Sequence, residues 1–525
     1  RSCIRDLPHD CHFHDGLQTL GSCHHPVLMA LSAWLGLAVS SAVLPLAAWL
    51  ILRLLARRLA DGRPLARKLK GRETIGFFHP YANAGGGGER VLWCAISAVQ
   101  RHHPGVHCVV YTGDSGVTPG DLLSHAKGCF GVELDPTSIH FAFLVGRRWV
   151  DATTWPHFTL LGQSLGSMIL GWEALCHFQP DIFIDSMGYA FTFPMFALLA
   201  GCRVGCYVHY PTISSDMLAR VRSRDTGVCN DATIARSKVL STGKLMYYQA
   251  FAALYGFVGR FAQIVLVNSS WTRGHIDQLW RVPGRTLTVF PPCDTAALTK
   301  LPLERAPPEA GGRLVLSLAQ FRPEKNHALQ LRSFGRFLAA APHRCEGGSE
   351  RVRLVLAGGC RDAGDRQRVE SLRTLCCELG LREKTDSSTG DWDVCFRTNV
   401  PLAEMQALLG QAEVGLHTMR EEHFGISVVE FMAAGAVPLA HKSGGPEMDI
   451  VTPLEGRATG FLASDEEGYA TALEQAFAMD SGERRAMAKA AREAVRGRFA
   501  QEAFEEAVAS RLIAPLRRGS PQTGK

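Results

Sequence analysis

The sequence predicts an α/β fold of two Rossmann-like, doubly wound domains facing a cleft, with an N-terminal transmembrane helix ahead of them. Three observations lead there. Short apolar runs recur without the polar alternation of a half-exposed strand, as parallel strands covered on both faces require. Each run is followed by a stretch long enough for a helix, which returns the chain for the next parallel strand. Ahead of them, residues 27–52 form a 26-residue stretch without one charged side chain.

Composition bounds the rest. The chain has 525 residues, 46% of them apolar and 20% charged, enough to bury a core and too many for a single domain of ordinary size. Its 16 cysteines form no C-x-x-C pair and are too sparse for a disulfide scaffold, so reduced thiols in a cytosolic setting are expected.

The elements follow in chain order. Residues 1–26 are read as a lumenal tail. Residues 27–52, with Trp34 and Trp49, are long enough at 1.5 Å per residue to cross about 30 Å of hydrocarbon. A buried core helix would be shorter, and a signal peptide carries its cations before the apolar core rather than after it. The cations come after: residues 53–72 hold eight Lys or Arg against Asp61, a net +7. The whole chain is only +6, so the remaining residues sum to −1 and leave no basic surface for nucleic acid. The positive-inside rule places the basic segment 53–73 in the cytosol.

Strands are expected in the first domain, 74–300, at 74–79, 106–112, 139–144, 182–185, 203–209, 264–268 and 287–290. After a Pro/Gly/Glu-rich linker at 301–312, the second domain, 313–498, repeats the pattern at 314–318, 352–357, 394–396, 414–417 and 437–440, and a C-terminal helix and tail take 499–525. Residues 158–175 and 191–199 are unusually apolar. Both are short for a span, so burial in the core is the expectation, with a place in the bilayer interface beside the anchor as the alternative.

Ligands of open parallel sheets sit beyond the carboxyl ends of the strands. Two such loops carry chemistry. The first is the run Gly85 to Gly88, ahead of a helix expected at 89–100, where missing Cβ atoms let an anion approach the free N–H groups of a helix start. It lacks the Gly-Lys-Ser/Thr ending of a Walker A loop, and a plain tight turn would use the same glycines. The second is Glu422-His423-Phe424-Gly425-Ile426 leading to Glu430 and Gly435. Gly425 suits a helix start and Gly435 its cap, which puts Glu430 inside the helix and Glu422 on the loop before it. Two such carboxylates could hold two hydroxyl-bearing parts of one ligand, although an ordinary capped helix with solvated acids would read the same.

The stretch from Glu422 to Gly435, followed by Ser443-Gly444-Gly445-Pro446 and Thr459-Gly460-Phe461-Leu462, resembles the retaining GT-B glycosyltransferases of the glycogen-synthase-like group, with their E-x7-E motif. Further stretches at 77–90, 160–167, 208–218, 289–294 and 320–327 are similar to the GDP-mannose:dolichol-diphosphate-oligosaccharide alpha-1,2-mannosyltransferases of asparagine-linked glycosylation. The resemblance implies an endoplasmic-reticulum enzyme with cytosolic catalytic domains. It would add the fourth and fifth mannoses from GDP-mannose to the dolichol-diphosphate-linked oligosaccharide, with the other early mannosyltransferases of the pathway as partners. It implies that Glu430 holds the nucleotide ribose, that Glu422 with the backbone of Phe424, Gly425 and Ile426 holds the donor mannose, and that His209 contacts that sugar near the reacting carbon. A histidine satisfied by a neighbouring carbonyl is the alternative for His209. Arg322 and Lys325 would clamp the diphosphate, and Gly86, Gly87 and Gly88 would border the donor. Where the family has Gly-Arg, this chain has Ala319-Gln320, so Arg322 is offered as the substitute arginine.

The implied mechanism retains the anomeric configuration and assigns no protein nucleophile. No metal or other cofactor is expected, because Asp391-Trp392-Asp393 precedes an expected strand instead of following one. The readings left standing beside this one are a transferase using a UDP-sugar, a dinucleotide-dependent oxidoreductase with Asp114 as ribose ligand, and a noncatalytic membrane scaffold. Asn268-Ser269-Ser270 matches a glycosylation acceptor, but its expected cytosolic side makes it a chance match.

Overall fold

The computed structural model describes residues 44–224, 236–304, 311–345, 348–385 and 391–518. The predicted lumenal tail, positions 27–43 of the predicted span, half of the linker (305–310) and the last seven residues lie outside these. Positions 44–52 open a helix that continues to residue 61 through the basic segment. No described helix is long and apolar enough to cross a membrane.

The first sheet contains β1 (Thr74–Phe78), β2 (His107–Thr112), β3 (Ile139–Phe143), β4 (Ile182–Asp185), β5 (Arg203–Val208), β6 (Ile264–Val267) and β7 (Thr286–Thr288), in the order β3-β2-β1-β4-β5-β6-β7. The second contains β8 (Arg313–Leu318), β9 (Val352–Gly358), β10 (Val394–Thr398), β11 (Ala412–Leu416), β12 (Val437–His441) and β13 (Phe461–Ala463), in the order β10-β9-β8-β11-β12-β13. Every strand pair in both is parallel. In each sheet the strand order reverses beside the first strand of its series, β1 or β8, which opens the crevice where such folds bind ligands. β1 and β2 are buried at every position, so neither shows a polar face. β13 is not among the strands expected from the sequence.

The two sheets are joined at the end of the chain as well as by the linker. After the Ser481–Arg498 helix, the Gln501–Val508 helix and its continuation return to the first sheet, where Phe504, Leu512 and Ile513 pack with Ile75, Tyr207 and Leu266. Arg517 fixes this return by pairing with Glu73 at 2.8 Å, just before β1.

The apolar stretches part ways. Phe191, Phe193 and Phe196 are buried, and Phe196 stacks on Phe183 at 3.6 Å, so 191–199 is mainly core as expected. The 158–175 stretch corrects the expectation of burial. The Thr159–His177 helix turns its small residues inward, Gly162, Ser164, Gly166, Ser167 and Gly171, and leaves Leu165 (48%), Met168 (37%) and Ile169 (47%) exposed beside Phe158 (67%). The cause is close approach: a Cβ at Gly166 would strike the Trp149 carbonyl, and one at Gly162 the Trp155 ring.

Candidate functional site

The rear part of the site is built at the carboxyl ends of β8, β11 and β12. Ile426–Ala434 is a helix whose N-cap, Gly425, has φ +109° and whose C-cap, Gly435, has φ +83°, conformations that favour glycine. Glu422 lies on the loop before it. Its Oε2 accepts from Lys325 Nζ at 2.5 Å and from His417 Nε2 at 3.1 Å. Burial alone would raise the pKa of this carboxyl, but the His417 hydrogen bond and the Lys325 charge outweigh it and hold Glu422 well below the usual range. It is therefore a fixed anion with oriented partners.

Close packing sets the loop. Cβ atoms at Gly444 and Gly445 would strike the backbone of Glu422 and Phe424, which is why this turn is Ser-Gly-Gly-Pro. Ser443 Oγ accepts from the Glu421 N–H at 2.8 Å, and the Gly445 N–H donates to the Glu422 carbonyl at 2.8 Å. Glu421 itself sits at φ +57°, a conformation a non-glycine residue keeps only when its surroundings hold it there.

Lys325 ends the Pro323–Lys325 turn after β8, and its carbonyl accepts from Thr418 Oγ1 at 2.9 Å, tying that turn to the loop after β11. Arg322 is on the same turn but exposed, its nearest acid being Glu324 at 3.8 Å. The structure thus brings Lys325 and Glu422 together and leaves Arg322 at the rim. Gln320, in place of the family arginine, accepts from Arg361 and lines an open pocket of about 280 Å³ with Gly358, Asn399, Ser427 and Glu430. Burial pushes the Glu430 carboxyl up to about 7 against the opposing charge of Arg90.

The front part uses the carboxyl ends of three adjacent strands. His79, Ser186 and His209 follow β1, β4 and β5 by one residue each. His209 Nε2 lies 3.1 Å from the Ser186 carbonyl, which only accepts, so this nitrogen carries the proton. Burial and the neighbouring His79 lower the His209 pKa to about 4, so the ring is neutral. Ser186 Oγ meets His79 Nδ1 at 2.8 Å, and His79 Nε2 faces Glu89 Oε1 at 3.5 Å. Glu89 caps the Gly87–His102 helix by accepting from the Gly86 N–H. The glycine loop, His79 and His209 thus share one buried polar network.

The two lobes meet across this centre. A Cβ at Gly87 would come within 3.0 Å of Ile426 Cδ1, and one at Gly88 within 3.7 Å of His209 Nε2, so the glycine loop closes on the start of the Ile426–Ala434 helix and on His209. Tyr210, next to His209, stacks on His423, next to Glu422, with ring centroids 4.0 Å apart and planes 18° from parallel. Trp271 lies nearly parallel to both rings, its centroid 5.9 Å from that of Tyr210 and 5.5 Å from that of His423. Arg220 pairs with Glu421 at 2.8 Å, and Asp449 accepts from Ser270 N and Oγ at 2.8 and 2.6 Å. Sequence reasoning assigned no role to His417, Tyr210 or His423. The last two stand inside quoted motifs, and their adjacency to His209 and Glu422 was the available signal.

Other candidates resolve simply. Asp391 and Asp393 are held by the guanidinium groups of Arg351 and Arg382. Asp114 accepts from Arg147 at 2.7 Å, Thr112 Oγ1 at 2.7 Å and Asn83 N at 3.0 Å, which leaves it little capacity for a ribose. Asn268 is buried.

Both lobes have relatives among known proteins. Residues 72–280 match the family described as ALG11 mannosyltransferase N-terminus, and residues 304–494 match Glycosyl transferases group 1. The chain is 48% identical over 438 residues to the Mus musculus protein named GDP-Man:Man(3)GlcNAc(2)-PP-Dol alpha-1,2-mannosyltransferase, covering 83% of this chain and 86% of the relative. The Homo sapiens protein of the same name is 47% identical over 454 residues, 86% of this chain and 89% of that one. Among solved structures, alpha,alpha-trehalose 6-phosphate synthase from Burkholderia multivorans superposes with a TM-score of 0.59 at 15% identity, over 86% of this chain and 100% of that one. Anabaena Alr3699/HepE, solved with UDP and glucose, gives 0.53 at 15% identity, over 84% and 100%. The shared fold is the GT-B glycosyltransferase fold.

Proposed function

We infer the reaction of this chain from its kinship, since it belongs to the GDP-Man:Man(3)GlcNAc(2)-PP-Dol alpha-1,2-mannosyltransferase family. It is a retaining glycosyltransferase that moves mannose from GDP-mannose to the dolichol-diphosphate-linked trimannosyl oligosaccharide, adding the fourth and fifth mannoses in alpha-1,2 linkage. The observation that carries this reading is Glu422, fixed as an anion by Lys325 and His417 on the loop that leads to Ile426, the residue the glycine loop approaches at Gly87.

In this reading Glu430 accepts from the ribose hydroxyls at the rear pocket, and Glu422 with the backbone of Phe424 to Ile426 accepts from and donates to the donor mannose. Lys325 stabilises charge on the departing diphosphate, the largest electrostatic demand of the step. The bond from mannose C1 to the diphosphate oxygen breaks as C1 bonds to the acceptor hydroxyl oxygen on the same face. The hydroxyl proton passes to the diphosphate. His209, neutral and oriented by Ser186, borders that carbon with its other nitrogen free to accept. Arg322 approaches the diphosphate from the rim. No metal is required: Lys325 supplies the countercharge, and the acids of the Asp391-Trp392-Asp393 stretch are already neutralised by arginines.

The membrane is the second partner. Residues 27–52 anchor the chain in the endoplasmic reticulum with the lobes cytosolic, and the exposed face of the Thr159–His177 helix lies in the bilayer interface. That face is continued by the Lys238–Gly259 helix, which exposes Met246 and Phe257 and whose Tyr247 ring packs on Phe158 at 5.3 Å. Helix 44–61 joins it where Trp49 Nε1 donates to the Leu198 carbonyl at 3.2 Å. An acceptor carried on dolichol would thus meet a soluble donor at the cleft.

The test is donor choice. Protection from proteolysis and inhibition of transfer should follow GDP, with UDP and NAD ineffective, and transfer should persist in the presence of a chelator. Protection by UDP or NAD instead, or loss of transfer with chelator, would overturn the donor or the metal assignment respectively.

A further inference from the structure

The front lobe holds a second cavity, of about 460 Å³, between the ends of β2 and β3 and the turn Gly146–Val150. Four of its lining residues are ionisable: Asp114, Arg147, Arg148 and Asp151. We propose that this cavity is the subsite for the neutral saccharide of the acceptor, between its lipid and the hydroxyl that reacts. The proposal rests on the function inferred above and adds where the glycan lies and which groups read it.

Position is the first argument. The Asn83 N–H, at the start of the glycine loop, donates to Asp114 Oδ2 at 3.0 Å, so one wall is continuous with the reaction centre. The opposite wall is continuous with the apolar face. Glu173 of the Thr159–His177 helix accepts from the Val145 and Gly146 N–H groups at 2.7 and 2.9 Å, and Val145 beside them is 89% exposed. A glycan tethered to lipid at one end and reacting at the other has to cross the interval this cavity occupies.

Charge is the second argument and selects the ligand. Two acids and two arginines cancel formally, so the cavity offers a diphosphate no net countercharge. Neutral sugar hydroxyls both donate and accept, so they satisfy the Asp151 carboxylate and the Arg148 guanidinium together, while Asp114 is taken up in holding Arg147. The groups are also held in place. Asp114 fixes Arg147 at 2.7 Å, and the Arg147 guanidinium lies 5.1 Å over the Tyr81 ring, whose hydroxyl donates to Asp151. Arg148 is exposed and lies 5.1 Å over Trp149. Phe143 gives an apolar surface for a sugar ring.

The experiment uses the full chain in detergent with Arg148→Ala and Asp151→Asn. Each is expected to raise the KM for the lipid-linked trimannosyl acceptor at least fivefold while the KM for GDP-mannose moves less than twofold. The lipid-free trimannosyl glycan should compete with the acceptor for the wild type and at least fivefold more weakly for either variant; inorganic pyrophosphate at the same concentration should not compete through this site. An unchanged acceptor KM, a parallel rise in both KM values, glycan competition equal in wild type and variants, or competition by pyrophosphate that either variant abolishes would overturn the proposal. Ligand-observed NMR of the lipid-free glycan, recorded without donor, reads the subsite separately. A wild type that binds the glycan but transfers no mannose contradicts the functional reading and leaves the subsite standing, whereas one that transfers but fails these tests does the reverse.

Discussion

The two lobes share a sheet topology and differ in what they present. The rear lobe turns a buried, ion-paired cluster toward the cleft: Glu422 between Lys325 and His417, with Glu430 in the pocket beyond. The front lobe turns outward the Thr159–His177 helix, with Leu165, Met168 and Ile169 exposed and Gly162, Gly166 and Gly171 inside. One scaffold has been finished in two ways, which in the proposed function serve a soluble, charged ligand on one side and a ligand held in a bilayer on the other. The lesson is that function here lies in what each lobe does at its surface and strand ends, while the sheets only position it.

The contrast can be broken most severely at Lys325. Lys325→Ala leaves a buried carboxylate without its cation and the leaving group without its countercharge. Transfer should fall about 10²- to 10³-fold, and the fold should lose about 3 kcal/mol from the unpaired Glu422. Single-turnover rates and chemical denaturation check the two effects separately.

Glu430 sharpens the donor side through pH. Its carboxyl is raised from 4.5 to about 7 by burial, so below that pH the free protein holds it protonated and less able to accept from two hydroxyls. The KM for GDP-mannose should fall as pH rises from 6 to 8, by up to about tenfold per unit below 7. Glu430→Gln should flatten that dependence. The stability sign is opposite: a raised folded pKa means that this group's contribution is present at acid pH and is lost between 4.5 and about 7.

Between the lobes, Tyr210→Ala removes the stack on His423 and should lower kcat/KM about fivefold, in line with about 1 kcal/mol for an aromatic pair. Tyr210→Phe keeps the ring and should restore the rate. Leu165→Glu with Ile169→Glu tests the outward face. Folding stability should stay within about 0.5 kcal/mol, as for exposed positions without partners, while sedimentation with liposomes falls. Unchanged sedimentation would remove the apolar face from the account.

What the sequence disclosed and what it withheld divide along physical lines. Gly425 and Gly435 were legible because left-handed backbone at both ends of one helix leaves a residue-type signature, and that placed Glu422 and Glu430 correctly on loop and helix. The buried strands were legible because parallel strands covered on both faces have nothing to alternate with. The orientation of the Thr159–His177 helix was not, since apolar content alone does not say which side packs; Trp149 and Trp155, reaching Gly166 and Gly162, decide it. His417 gave no signal, because a histidine ending an apolar strand acquires a role only when the fold sets Glu422 3.1 Å away. Arg322, expected in the clamp, stands exposed at the rim, and the local pattern of the turn could not show that.

The most direct measurement is product analysis. Purified protein incubated with radiolabelled GDP-mannose and lipid-linked trimannosyl acceptor should yield products one and then two mannoses larger, both removed by an alpha-1,2-specific mannosidase. Products resistant to that enzyme, or labelling only from a UDP-sugar or of another acceptor, would contradict the account.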